Sequence, residues 1–308
     1  MTQHGEPTPE TPGSRVTEVR RQSTTATFMS HRNLLFTVAY EMLGSVADAE
    51  DVLQEVWLRW VAVDVDSVRE PRAYLIRATT RQSLTRLRTL RRRRESYVGP
   101  WLPEPLLTTP DVAEEIELAD SVSTAMLLVL ETLNPTERAV FVLREVFALP
   151  YVEIGRAVCK TSMAVRQIAH RARAHVAARR PRGVVSAAHA REVLTAFRTA
   201  LETGDLQGLL DVISPDVVLL TDGGGVVGAS RTPVTGVDRV AGLLRVLGAE
   251  LEFQLAAVNG SPAFVVRRAG EIDTILSVLV QEGLITGLYA VRNPEKLVRL
   301  DRENSVSR

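Results

Sequence analysis

The chain has 308 residues, 37 Lys+Arg balanced by 37 Asp+Glu, and 45% hydrophobic residues, which suits a soluble protein with two or three small cores of roughly 100 to 200 residues each. Its single cysteine, Cys159, rules out an internal disulfide and a multi-cysteine metal site, so a reducing cytoplasm is the expected home. No apolar run approaches the ~20 residues of a membrane helix, and the first 25 residues lack the apolar core of a signal peptide.

Residues 1–26 are rich in Thr, Pro, Glu, Gly, Ser and Arg and are expected to form a disordered tail. From Met29 to Arg94 the apolar spacing is helical. Ser45 with Asp48 three residues on gives a helix start. Ala49, Val52, Leu53, Val56 and Trp60 then share one face, while Asp48, Asp51 and Glu55 share another as an acidic stripe. Glu70-Pro71 breaks the pattern, and the next helix reverses the charge. Residues 71–94 carry Arg72, Arg77, Arg81, Arg86, Arg88 and the run Arg91-Arg92-Arg93-Arg94 with no acid among them. Zero net charge therefore conceals a segregation that bears directly on partners.

Residues 96–120 read as a linker, with Pro100, Pro103 and Pro105 holding Trp101-Leu102-Pro103-Glu104-Pro105 extended. A second helical block runs to about residue 180. Asn134-Pro135-Thr136-Glu137 starts one helix. Pro150 opens a short helix, and Cys159-Lys160-Thr161-Ser162 turns into another from about 162 to 178, the outline of a helix-turn-helix. After Gly183 two helices are expected between 187 and 213, then β-branched runs at 217–220, 264–266, 274–280 and 284–285, with Asn259-Gly260 and Glu282-Gly283 at turns. Helices followed by a strand meander imply an α+β domain.

Two segments carry nucleic-acid chemistry. Between 156 and 182 there are eight basic residues and no acid. With Ala164, Val165, Ile168, Ala169 and Ala172 packed inward, Arg166, Gln167, His170, Arg171 and Arg173 face out, where Arg and Gln can read base edges and the rest hold phosphates. Thr79-Thr80-Arg81-Gln82-Ser83, beside Arg77, Arg86 and Tyr74, mixes polar, basic and aromatic groups suited to unstacked bases. An ordinary amphipathic helix with an arginine-rich end is the competing reading for that second segment.

In order and separation these segments resemble the extracytoplasmic-function (ECF) sigma factors of the sigma-70 family. Gly44 to Glu55 looks like the core-polymerase-binding helix, Pro71 to Leu75 with the arginine helix like the −10 reader, and residues 133–141 with 165–173 like the −35 domain. The resemblance implies that Asp48, Asp51, Gln54, Glu55 and Leu58 meet the β′ clamp coiled coil. It implies that Arg77, Thr80, Arg81, Arg86, Arg91 and Arg92 contact the −10 strand, and that Arg166, Gln167, His170, Arg171 and Arg173 enter the −35 major groove. Trp101 to Pro105, Asp222-Gly223-Gly224-Gly225 and Asn293-Pro294-Glu295-Lys296-Leu297 are similar to the sigma-factor group with a fused SnoaL-like domain, in which that domain stands in for a separate anti-sigma factor. Trp101, Leu102, Pro103, Asp222, Gly223, Gly224, Asn293, Pro294 and Lys296 are the implied interdomain contacts. Val226 departs from the group, where a lysine commonly follows the glycines.

Such cones also house isomerases and hydrolases that use a buried Asp, His or Tyr. Here His189 lies on a helix, and Tyr289 and Asp222 are the remaining candidates, Asp222 in a glycine-rich loop that favours a turn role. No catalytic residue, cofactor or metal is therefore expected. Cys159 is expected to fill the small helix-turn-helix joint, and Trp101 to dock on the fused domain. The expected architecture is multidomain: a tail (1–26), a sigma region 2 domain (27–95), the linker (96–120), a sigma region 4 helix-turn-helix domain (121–182) and an α+β SnoaL-like cone (186–308). The expected partners are core RNA polymerase, through the β′ coiled coil and the β flap, and promoter DNA, with no membrane and no separate anti-sigma factor. A polymerase-independent, ligand-sensing helix-turn-helix regulator and an enzyme built on the cone are the alternatives.

Overall fold

The computed structural model describes residues 12–108, 123–248, 251–298 and 300. Helix α1 spans Pro12–Leu43, α2 Val46–Trp60 and α3 Pro71–Glu95. The stretch 12–26 is thus helical rather than a disordered tail; residues 1–11 lie outside the described residues. Near the end of that stretch Thr24 is buried, and Trp60 Nε1 donates to its carbonyl at 3.0 Å. The predicted face of α2 (Ala49, Val52, Leu53, Val56 and Trp60) is buried against α1 and α3, and the Ser45 hydroxyl accepts from Asp48 N.

Residues 96–99 turn, with Gly99 at φ of 84°, and 100–108 continue without helix; 109–122, which include the rest of the expected linker, lie outside the described residues. Helices α4 (Thr124–Glu131), α5 (Pro135–Phe141, continued by a π-turn to Val146), α6 (Tyr151–Val158) and α7 (Ser162–Ala177) follow. Asn134 and Glu137 close a reciprocal capping box on α5. Cys159 is not the buried joint filler expected; it is the exposed, left-handed cap of α6 with φ of 56°. The close packing at that joint falls instead to Gly155, where an added Cβ would come 2.6 Å from Lys160 O. Helices α1 to α7 share one continuous apolar core, from Phe28 through Leu84 and Leu127 to Val176. The two helical domains are therefore packed together and not merely tethered by the linker.

The carboxy-terminal domain opens with α8 (Ala187–Thr203) and α9 (Leu206–Val212). Strands β1 (Ile213–Asp222), β2 (Val234–Thr235), β3 (Glu252–Val258), β4 (Ser261–Arg268), β5 (Glu271–Gln281) and β6 (Leu284–Val291) form a sheet in the order β2-β1-β6-β5-β4-β3. Helix α10 (Val237–Gly248) lies between β2 and β3, and α11 (Pro294–Leu297) follows β6. Strands β1 and β6 run parallel and the other neighbours antiparallel. The sequence reading missed β2, α10, β3, α11 and the β4–β5 turn at Ala269-Gly270, whose φ angles of 51° and 85° are close to those at Asn259-Gly260 and Glu282-Gly283. Alternation along the strands gives the sheet two buried faces. Phe253, Val266 and Leu276 face the helices of this domain, whereas Val265, Ile275 and Val291 pack with Leu102 of the linker.

Candidate functional site

The linker from Leu102 to Leu106 is buried along its length, and each part of it is held by a different element. Glu104 N donates to Gly44 O, and its carboxylate accepts from the Ser45 hydroxyl (2.9 Å) and Ala47 N (3.1 Å), so it sits on the positive end of α2. Further on, Leu107 bridges to Val258 at the sheet edge and Thr108 N donates to Ala257 O. Asn259, fully buried at the β3–β4 turn, gathers three elements. Its Oδ1 accepts from Leu106 N at 2.8 Å and lies 3.1 Å from the Tyr40 hydroxyl, and its Nδ2 reaches Thr124 Oγ1 at 3.4 Å.

A second hub forms around Asp222. It is the last residue of β1 and fully buried, and its Oδ1 also makes the expected turn by accepting from Gly224 N two residues on. It accepts from Tyr97 Oη (2.5 Å), Leu102 N (2.8 Å), Gly224 N (3.1 Å) and Lys296 Nζ (2.7 Å). Burial, reinforced by the bond to Asp222, drives the Tyr97 phenol well above its usual range. Burial also lowers Lys296, against the opposing pull of Asp222. Asn293 donates to Tyr97 Oη at 2.9 Å, and its Oδ1 accepts from Glu295 N to start α11. Gly224 sits with φ of 64° so close to Asn293 that an added Cβ would come 2.5 Å from Nδ2. Gly223 and Pro103 are buried beside them, and Pro294 is the first residue of α11.

The Trp101 ring joins the first helical domain to the carboxy-terminal domain. The Arg94 guanidinium stacks 3.5 Å from its centroid on one contact, and Lys296 Nζ lies 4.2 Å away on another. Gly44, with φ of 67°, gives the ring room: a Cβ there would come 2.9 Å from it. Arg94 and Arg138 both pair with Glu131, and they also donate to Leu43 O and Glu41 O of α1, respectively. Burial by itself would raise the Glu131 carboxyl, but the two guanidinium groups hold it below its usual range. Sequence reasoning missed Tyr97, Glu104, Glu131, Arg138 and Asn259. Asn259 carried a signal as the first residue of an Asn-Gly turn, and Glu104 and Arg138 lie inside the segments that carry the family resemblance, whereas Tyr97 and Glu131 had none.

Much of the predicted polymerase and −10 surface is engaged within the chain. Arg86 donates to Asp48 (2.7 Å) and pairs with Asp51 (2.9 Å), and Gln82 bonds Glu55, so the acidic stripe is held by α3. Gln54 and Leu58 are exposed. Thr80 is fully buried, its hydroxyl donating to Ile76 O at 2.8 Å, so it offers no surface to a DNA strand. Thr79 and Ser83 are buried beside it, so of residues 79–83 only Arg81 and, in part, Gln82 reach the surface in this arrangement. Arg81 reaches across to α6, donating to Arg156 O at 2.8 Å and Ala157 O at 3.4 Å. Arg77 is half-buried, and Arg91 and Arg92 are exposed.

On the helix-turn-helix, Arg166, Gln167, His170, Arg171 and Arg173 are all exposed along α7. Thr161 caps the helix, and Val165, Ile168, Ala169, Ala172 and Val176 are buried beneath it. Arg166 lies over the Tyr151 ring and Arg173 pairs with Glu145, leaving Gln167, His170 and Arg171 as the outer part of the face.

The comparisons with known proteins agree with this geometry. The sigma-70 region 2 family matches residues 27–93, and the sigma-70 region 4 family matches 123–176. The ECF RNA polymerase sigma factor SigJ of Mycobacterium tuberculosis is 35% identical over 287 residues, 87% of this chain and 91% of the relative. A probable ECF RNA polymerase sigma factor, SigI, of the same species is 33% identical over 90% of this chain and 96% of its own length. The crystal structure of M. tuberculosis SigJ superposes with a TM-score of 0.71 at 32% identity, covering 89% of this chain and 98% of that one. A polymerase-independent regulator and a cone enzyme are not favoured by these matches. The chain belongs to the extracytoplasmic-function sigma factors of the sigma-70 family, transcription initiation factors rather than enzymes, and carries a fused SnoaL-like domain.

Proposed function

We propose that the arrangement described above is a closed, promoter-blind state of this sigma factor, held by its own carboxy-terminal domain through the linker. The observation that carries the reading is the reach of Arg81 from the −10 helix to the carbonyls of Arg156 and Ala157 on the helix-turn-helix. Elements near −10 and −35 are about 25 base pairs apart, or ~85 Å at 3.4 Å per base pair of B-form DNA. Two small domains sharing one apolar core cannot span that distance, so the core between them has to part before both elements are engaged.

In this reading Gln54 and Leu58 offer core polymerase its first contact, at the β′ clamp coiled coil. Asp48, Asp51 and Glu55 join it when Arg86 and Gln82 let go and turn to the −10 strand together with Arg77, Arg81, Arg91 and Arg92. Region 4 docks on the β flap and sets Arg166, Gln167, His170, Arg171 and Arg173 in the −35 groove. Trp101, Leu102, Pro103, Asp222, Gly223, Gly224, Asn293, Pro294 and Lys296 form the lock, which does in cis what an anti-sigma factor would do in trans. The work is done in the cytoplasm, where polymerase and promoter are found. Run-off transcription with purified core polymerase tests the reading. Lock-breaking variants are expected to raise promoter-specific transcript over the wild-type chain, and a chain that forms no complex with core polymerase would sink it.

A further inference from the structure

The Asn259 hub leads into a chamber on the linker side of the sheet. Thr124 Oγ1, which accepts from Asn259 Nδ2, donates to Ser277 Oγ at 3.1 Å. Asn259 Oδ1 takes the Leu106 N–H, so the amide is fixed with Nδ2 toward Thr124 and the relay runs one way. Ser277 accepts at its end, and its own proton is unspent among the described residues. Ser277 stands opposite Tyr289 on β5 and β6, and both line a cavity of about 530 Å³. The Tyr289 phenol lies along its strand over Gly287, where an added Cβ would come 2.9 Å from Oη. Its hydroxyl has no hydrogen-bond partner among the described residues, and burial pushes the phenol up to about 12, so it stays a protonated donor.

Three elements wall this chamber. Met126 comes from α4 of region 4, Val184 and Ala187 from the connector after α7, and Pro262 and Leu279 from the sheet. A chamber of this size at a domain boundary, apolar with a few polar groups, has the form of a small-molecule site. Two O–H donors on one wall suit an acceptor with two lone pairs, such as a carbonyl oxygen. Neither donor carries a charge to offset an ion, and burying an ion without a counter-charge is costly, so the fitting guest is neutral. We propose that this cavity takes a small neutral carbonyl compound with an apolar body, and that the guest holds region 4 against the cone. The second part rests on the closed-state reading. The connector belongs with the cone: Val184 bridges to Gln281, and Val185 N donates to Val280 O at 3.4 Å. Thr124 and Met126 belong to region 4, so parting of the domains removes one wall of the site. A guest that needs the complete chamber therefore favours closure.

Calorimetric titration of the full-length chain with benzophenone tests the site. The wild type should bind one equivalent saturably. Ala187→Trp, at an exposed lining position, should obstruct the chamber and weaken binding about tenfold or more. Tyr289→Phe, which keeps the ring and removes the donor, should weaken it about threefold or more. Diphenylmethane, the same skeleton without the carbonyl, should bind the wild type more weakly than benzophenone does, and should bind Tyr289→Phe as well as it binds the wild type. Absence of saturable binding, or binding indifferent to Ala187→Trp, overturns the site. An equal loss of both compounds in Tyr289→Phe, or no loss of either, overturns the carbonyl assignment, and tighter binding of 4-benzoylbenzoate overturns the neutral guest. For the coupling, saturating benzophenone should lower run-off transcription by the wild-type holoenzyme about fivefold or more and leave Ala187→Trp unaffected; unchanged wild-type transcription overturns it. Lock-breaking variants that fail to raise transcript would defeat the closed-state reading and the coupling with it, whereas the site is decided by binding in the absence of polymerase.

Discussion

Lys296 Nζ lies 2.7 Å from Asp222 Oδ2, and this pair, 74 residues apart in sequence, ties the last helix to the end of β1 around the backbone of Leu102. Asp222 is fully buried and the Lys296 side chain is 12% exposed. Removing one member of such a pair leaves a charge without its counter-ion, at a cost of about 3 kcal/mol. Lys296→Met should therefore loosen the linker while the apolar core of the cone stays intact. Small-angle scattering should report a larger radius of gyration for the variant than for the wild type; equal radii would show that the pair does not hold the domains.

Trp101 is contacted by two cations, Arg94 and Lys296. Each contact contributes on the order of 1 kcal/mol when partly desolvated. In a double-mutant cycle between Trp101→Leu and Arg94→Met, read by chemical denaturation, the coupling should be about 1 kcal/mol. Strict additivity would mean that the ring is packed rather than gripped.

Thr80 is a buried polar group, whereas Arg171 is exposed and proposed to face DNA. Thr80→Val should leave promoter affinity within about twofold, because the hydroxyl is spent on Ile76 O inside the fold. Arg171→Ala should weaken the polymerase–promoter complex by about 1 to 3 kcal/mol, and it should reduce the steepness with which binding falls with salt if Arg171 holds a phosphate. Filter-binding titrations across a salt series measure both.

Glu131 predicts an acid sensitivity. Burial opposes its charge, but Arg138 and Arg94 prevail and hold its folded pKa below the ordinary value of 4.5. The unfolded chain therefore binds a proton more readily than the folded one. The stabilisation is fully present above about pH 4.5 and is lost as pH falls through the lower folded value. Between pH 6 and pH 3.5 the wild-type Tm should drop more steeply than that of Glu131→Gln. Parallel curves would remove Glu131 from the account.

Local patterns made most elements legible. The 3.6-residue spacing of Ala49, Val52, Val56 and Trp60, the capping box at Asn134 and Glu137, and the Asn-Gly and Glu-Gly turns each involve residues that act on close neighbours. The basic face of α7 was readable for the same reason, since burial of Val165, Ile168 and Ala172 dictates which arginines point out. The resemblance to the SnoaL-fused group drew attention to Trp101, Asp222 and Lys296. Their partners were hidden. Glu104 on the start of α2, Asn259 against Tyr40, and Glu131 between Arg94 and Arg138 join residues 59, 219, 37 and 7 positions apart. No periodicity encodes such pairings. Thr80 was misread because a polar residue beside arginines looks like surface, whereas its hydroxyl can be satisfied by the preceding turn of its own helix. The helical stretch from 12 to 26 was missed because its composition is polar, and the Trp60 bond to Thr24 O near its end joins residues 36 positions apart.

The central claim is that the two sigma domains are closed on each other in the free chain and part on the promoter. Spin labels at Ser30→Cys on α1 and Ala178→Cys after α7, in a Cys159→Ser background, measure that separation by pulsed electron–electron resonance. The account predicts a single short distance for the free chain and a shift of tens of ångströms toward the ~85 Å scale of the promoter elements when core polymerase and promoter DNA are added. A long distance in the free chain, or one unchanged in the promoter complex, would contradict it.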